Sequence, residues 1–121
     1  MTHNKNWIKT GADKDLVIYA EKVGKFMAQN DLTTSKIRSI YGEIKRIQMG
    51  DFEKEKAAFY LLKPKVAYAQ GREKNIVGLK LFKMIFDLFS EDVHDCQTFK
   101  NFSLLIEAIL AYHKAYVEHD R

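Results

Sequence analysis

Few side chains in this chain of 121 residues combine a reactive type with a productive spacing. His94-Asp95 and His119-Asp120 are adjacent His-Asp pairs, the arrangement with which metal-dependent phosphohydrolases hold a dinuclear centre. That chemistry needs further His and Asp ligands from other helices. None is evident, so both pairs read as turn and chain-end residues. Glu107, His113 and His119 are spaced by six. On a helix each is turned about 240° from the last, so the three cannot converge on one metal ion. His3 lies in a polar stretch. Cys96 sits among acidic residues, which disfavour a thiolate nucleophile, and reads as a small structural residue. Gly42, Gly50, Gly71 and Gly78 are isolated, so no loop cradles a phosphate. An arginine followed four to six residues later by histidine, as in many helical ribonucleases, is also missing. The expectation is a protein with no catalytic residue, no metal and no cofactor.

Binding chemistry is better represented. In the segment 35–49 the isoleucines point inward, and Arg38 and Lys45 then share one polar flank. Arg46 lies further round beside Gly42, and Lys36 and Glu43 take the opposite flank. Arg38, Lys45 and Arg46 would form a basic ridge, which contacts phosphates well and reads base sequence poorly. The competing reading is a solvated face on which Glu43 pairs with Arg46 at i,i+3. Lys63, Lys65, Arg72 and Lys74 form a second cluster around Pro64 and Gly71. Backbone N–H groups opening the next helix lie close to Arg72 and would help hold a phosphate. Tyr68 either stacks on a base or covers the core.

Charge is distributed unevenly. The formal net charge is +4, from 20 Lys+Arg and 16 Asp+Glu. Residues 36–83 hold twelve basic and five acidic side chains, whereas residues 84–121 hold three and seven. A basic middle and an acidic final third point to an anionic partner for one face, nucleic acid being the commonest case; the alternative is a merely lopsided solvated surface. Hydrophobic residues make up 46% and charged residues 30%, the balance of a folded, soluble domain. Six Gly and one Pro exclude collagen-like and low-complexity classes. No apolar run is long enough to span a bilayer, and the polar first residues do not resemble a secretory signal. A single cysteine forms no internal disulfide, which fits the cytoplasm.

These side chains must be positioned by helices, since no strand pattern is convincing. Five segments read as helical. The first spans about 13–29, with Asp13 as N-cap and a stripe of Leu16, Ala20, Val23 and Met27. The second, 35–49, follows Thr33 and Thr34 and ends at Gly50. The third, 52–70, follows Asp51 and contains Pro64, so a kink near Lys63 or two short helices is expected, with Gly71 as C-cap. The fourth, 73–89, is apolar nearly all round, which requires cover on several sides or by another chain. The fifth spans 97–117. The expected fold is an all-α, single-domain bundle of about five helices, with the fourth and fifth as its core and residues 1–12 as a disordered tail.

Three motifs add a family resemblance. Leu32-Thr33-Thr34-Ser35-Lys36-Ile37-Arg38 resembles the LTTSQIR-like segment of the small subunit of type III-A CRISPR RNA-guided effector complexes. Lys65-Val66-Ala67-Tyr68-Ala69-Gln70-Gly71-Arg72 is similar to that family's K-x-A-Y-x-x-G-R element. Phe102 through Glu107-Ala108-Ile109-Leu110-Ala111-Tyr112-His113-Lys114 resembles its C-terminal helix. The resemblance implies a small helical subunit without catalysis of its own. Copies would stack beside the backbone subunits, near the large subunit, and form a groove for target RNA paired to the guide. Cleavage of the target would fall to the backbone subunit, and DNA cleavage and cyclic-nucleotide synthesis to the large subunit. The candidate RNA-binding residues are Lys36, Arg38, Lys45, Arg46, Lys63, Lys65, Arg72 and Lys74, of which Arg38, Lys65 and Arg72 fall within recognised motifs. Expected partners are guide-paired target RNA, the backbone and large subunits, and other copies of the chain, including a homodimer when free. The broad apolar surface of the fourth segment favours such self-association or docking. Tyr112-His113-Lys114 reads as an RNA contact, a subunit contact or a helix-end cap, and the helix dipole, which favours Lys and His near a C-terminus, inclines the reading to the cap. The alternative function is a helical protein–protein adaptor whose basic face is incidental.

Overall fold

The computed structural model describes residues 3–117, which form six α-helices and no strand. They are α1 (Asn6–Thr10), α2 (Lys14–Gln29), α3 (Thr34–Met49), α4 (Phe52–Arg72), α5 (Val77–Ser90) and α6 (Cys96–Tyr116). The five long helices are those expected from the hydrophobic spacing, and the fold is an all-α single domain. His119 and Asp120, the second His-Asp pair, lie outside the described residues.

The starts of the helices follow local chemistry. The Asp13 carboxylate accepts from the backbone N–H of Leu16 at 2.9 Å, and Asp51 accepts from that of Glu53 at 3.0 Å. Thr33 occupies the N-cap position of α3 without a side-chain bond to the helix. Between α2 and α3 the chain reverses through Asp31 at φ 72°, a left-handed turn in which the Leu32 N–H returns to the Met27 carbonyl.

Three expectations need correction. The segment 1–12 is not a free tail in its described part: α1 inserts Trp7 and Ile8 into the core, 3% and 0% exposed. Burial of one large ring outweighs the poor intrinsic stability of a five-residue helix. Next, α4 is neither divided at Pro64 nor capped at Gly71; it continues to Arg72. Pro64 and Tyr60 are both exposed, so the Tyr60 carbonyl, which loses its helical donor, can turn to water. Finally, α6 is central, as expected, but its most extensive partner is α2 rather than α5.

Glycine explains the close α2–α6 approach. A Cβ at Gly24 would lie 2.7 Å from both the Ile109 carbonyl oxygen and the His113 nitrogen. α3 and α4 form an antiparallel hairpin, since Arg46 meets Glu55 near the turn and Lys36 meets Glu73 at the far end. Phe59 and Phe102 touch edge to face at 5.6 Å between centroids, and Phe86 and Phe102 at 5.2 Å, joining α4, α5 and α6. The apolar circumference of α5 is used internally: Leu79, Phe82, Ile85, Phe86 and Phe89 are buried, while Val77 and Met84 remain partly exposed.

Candidate nucleic-acid interface

The eight candidate cations do not make one strip. The turn of each helix spreads them over different sides of the bundle, and carboxylates pair with three of the eight. Lys36 meets Glu73 at 2.5 Å across the α3–α4 hairpin. Arg46 bridges Glu43 at 3.1 Å and Glu55 at 2.8 Å. Lys45 lies 3.7 Å from Glu107, a carboxylate from the acidic final third. The ridge of Arg38, Lys45 and Arg46 is therefore interrupted by acids. The hydrogen bond from Arg46, joined by the charges of Arg46 and Lys65, holds the Glu43 carboxyl below its usual range. Glu43 and Glu55 in turn raise the Arg46 guanidinium's pKa.

The other five, Arg38, Lys63, Lys65, Arg72 and Lys74, are exposed and enter no ion pair among the described residues. Arg38 stands at the rim of a cleft of ≈ 420 Å³ between α3 and α6, with Tyr41 and Leu110 on the walls and Glu107 and Lys114 opposite. The Thr34 hydroxyl beside this cleft is buried without a hydrogen-bond partner. Lys65 lies on the α3 side of α4, within electrostatic reach of Glu43. Arg72 lies over the ring of Tyr68, 5.7 Å from its centroid, and Lys74 follows in the turn to α5. Lys63 points the other way, toward α5. Tyr68 is 68% exposed, so it does not cover the core.

Other sequence-derived candidates take structural places. The backbone N–H of Gly78, in the first turn of α5, donates to the Asn30 carbonyl at 2.9 Å. That end of α5 is sealed by the end of α2, which removes it as a phosphate cradle. His113 is 1% exposed, and its Nε2 bonds the Leu32 carbonyl. The first and third sequence motifs thus meet through a buried hydrogen bond. His94 and Asp95 belong to the start of α6: Asp95 caps the helix, and the His94 ring nitrogen Nδ1 bonds the Asp92 carbonyl. Among the described residues no group of His, Cys, Asp and Glu is arranged to hold a metal ion, and no helix is long and apolar enough to cross a membrane.

Sequence reasoning missed the Lys45–Glu107 contact, because the partners are 62 positions apart in sequence and lie on helices whose pairing no local pattern reveals. It also missed the cleft between α3 and α6, although Lys114 falls within the third motif.

The fold defines a small all-α, single-domain protein whose candidate cations are divided and partly neutralised. Comparison with family models is more specific: the Csm2 Type III-A model matches residues 11–119, and the chain belongs to that family. It is accordingly a small subunit of type III-A CRISPR effector complexes, a structural component from a family not known as catalytic. No curated protein and no solved structure matches it.

Proposed function

We propose that this subunit holds the sugar-phosphate backbone of target RNA paired to the guide, without cleaving it and without reading its bases. The work would be done in the cytoplasm as part of antiviral defence. Specificity would come from guide–target pairing. The single observation that supports this reading is the set of five exposed cations with no carboxylate partner among the described residues: Arg38, Lys63, Lys65, Arg72 and Lys74. Cations already paired must give up an internal partner to bind a phosphate, so Lys36, Lys45 and Arg46 take a secondary part. One copy offers few contacts, so isolated binding should be weak and strongly dependent on salt. Several copies beside the backbone and large subunits would supply the remaining affinity through avidity.

Filter binding of a guide–target RNA duplex at several salt concentrations tests the reading. Replacing Arg38, Lys65, Arg72 and Lys74 together by alanine should weaken binding and flatten the salt dependence, by roughly 0.7–0.9 for each phosphate no longer neutralised. Lys45→Ala alone should change the slope little. An unchanged affinity and slope in the fourfold variant would falsify the assignment.

A further inference from the structure

Helix α4 is apolar on two opposite sides. The inner side carries Phe52, Phe59, Leu62 and Val66, all buried. The outer side carries Ala57, Tyr60, Leu61, Pro64, Ala67 and Tyr68, which fall on one face at about 100° per residue. All six are exposed, Tyr60 by 53%, Leu61 by 58% and Tyr68 by 68%. No charged side chain interrupts this face between Ala57 and Tyr68.

Cations border it on both edges. Lys54 and Lys65, eleven positions apart and so on one flank, form the edge toward α3. Lys63 forms the edge toward α5, where Tyr60 and Lys63 flank a hollow of ≈ 320 Å³ walled by Phe59, Phe86 and Val93 and closed by Ser90 and Glu91 at the end of α5. None of these three lysines pairs with a carboxylate among the described residues. On α3, by contrast, Lys36, Lys45 and Arg46 are all neutralised from within the chain.

We propose that the outer face of α4 is a docking surface for another protein subunit of the effector complex, one that presents an apolar ridge bordered by carboxylates. This goes beyond the RNA reading and does not rest on it; it uses only membership of a multi-subunit complex. The chemistry favours protein over nucleic acid. Between the two tyrosines the face is aliphatic, formed by Leu61, Pro64 and Ala67, which offer no surface on which a base stacks and no donor to a phosphate. An apolar ridge desolvates that strip, and Tyr60 and Tyr68 supply large contact area at low entropic cost. The hollow beside Tyr60 has room for one anchoring side chain, and Lys54, which is outside the RNA-binding set, meets a carboxylate at the rim.

The test uses the complex reassembled from its own protein subunits and guide RNA, with no target RNA present. Native mass spectrometry measures how much of this subunit is retained. The double variant Tyr60→Ser, Leu61→Ser leaves the charge unchanged and alters exposed positions. It should keep the far-UV circular dichroism and the duplex RNA affinity of the isolated chain, yet fall at least about tenfold in retention. Lys54→Glu, outside the RNA-binding set, should also lower retention. A photo-crosslinking residue at position 61 should capture another protein subunit. Unchanged retention in the double variant overturns the proposal, as does a crosslink to RNA or to a second copy of this chain. Loss of RNA affinity in the fourfold alanine variant is read separately, so the two ideas can fail independently.

Discussion

Two glycines set how closely α2 can approach its neighbours. A Cβ on Gly24 would press into the α6 backbone at 2.7 Å, and one on Gly78 would lie 2.8 Å from the Met27 carbonyl oxygen. Backbone cannot yield as a flexible side-chain end does, so Gly24→Ala and Gly78→Ala should each destabilise the fold by about 1–3 kcal/mol. Gly42 is the control. It lies in α3 with nothing within 4 Å of its Cβ position, so Gly42→Ala should stabilise by about 0.5–1 kcal/mol through helix propensity. Chemical denaturation of the three variants reads these opposite signs. From sequence all three glycines look alike, isolated in apolar helical segments. Only the partner helix distinguishes a contact from open space. His113 illustrates the same limit: its position near a helix end indicates a cap, but its acceptor, Leu32, is 81 residues away.

Within single helices, sequence reading works where the signal is local. The isoleucines at 37, 40, 44 and 47 are all buried, as their spacing requires, and Asp13 and Asp51 cap α2 and α4. It works less well where apolar residues lie on two sides of a helix. In α4 the exposed Tyr60, Leu61 and Tyr68 blur the periodicity of the buried set, so the pattern alone does not separate the outward face from the core face. The start of α6 is a further local device, a reciprocal cap between Asp95 and Thr98. The Asp95 carboxylate accepts from the Thr98 backbone N–H at 2.8 Å and from its hydroxyl at 2.7 Å, and the Thr98 hydroxyl accepts from the Asp95 N–H at 3.1 Å. The backbone bond from Thr98, then its hydroxyl, hold this carboxyl below its ordinary pKa. A folded-state pKa below the unfolded value means that the unfolded chain takes up the proton first. The cap's stabilisation is therefore complete above the unfolded value and disappears as pH falls through the lowered folded value. Asp95→Asn cannot titrate. Its Tm should be lower than that of the parent at neutral pH, and the gap should close between about pH 5 and pH 2. A gap that stays constant over that range would show that the carboxylate's charge contributes nothing to the cap.

At the scale of the whole molecule, the N-terminal segment decides whether the bundle unfolds as one unit. Trp7 packs at 5.0 Å between centroids from Tyr19 of α2 and at 6.1 Å from Phe89 of α5. Its indole N–H donates to Asp13 at 2.9 Å, the same carboxylate oxygen that caps α2. Asn101 of α6, buried, donates to the Ile8 carbonyl at 2.9 Å. His3 lies 2.7 Å from the Tyr19 hydroxyl, whose pKa burial raises. Detaching α1 would therefore uncover two aromatic rings and break the hydrogen bonds from the Trp7 indole to Asp13 and from Asn101 to Ile8, a cost that a loosely attached arm would not carry. None of this is visible in a polar N-terminal stretch with one tryptophan, because the stabilising contacts come from α2, α5 and α6. Trp7 is the only tryptophan, so its emission reports on this junction alone, while far-UV circular dichroism reports on all six helices. In guanidinium titrations the two signals should share one midpoint, with the emission shifting to the red as the buried ring meets water. Trp7→Ala should lower that midpoint by an amount corresponding to about 3–5 kcal/mol, the usual cost of emptying a large core site. An emission change that precedes the loss of helix would instead make α1 a detachable arm, and the Tyr19–Phe89 surface beneath it would then be open in the folded bundle.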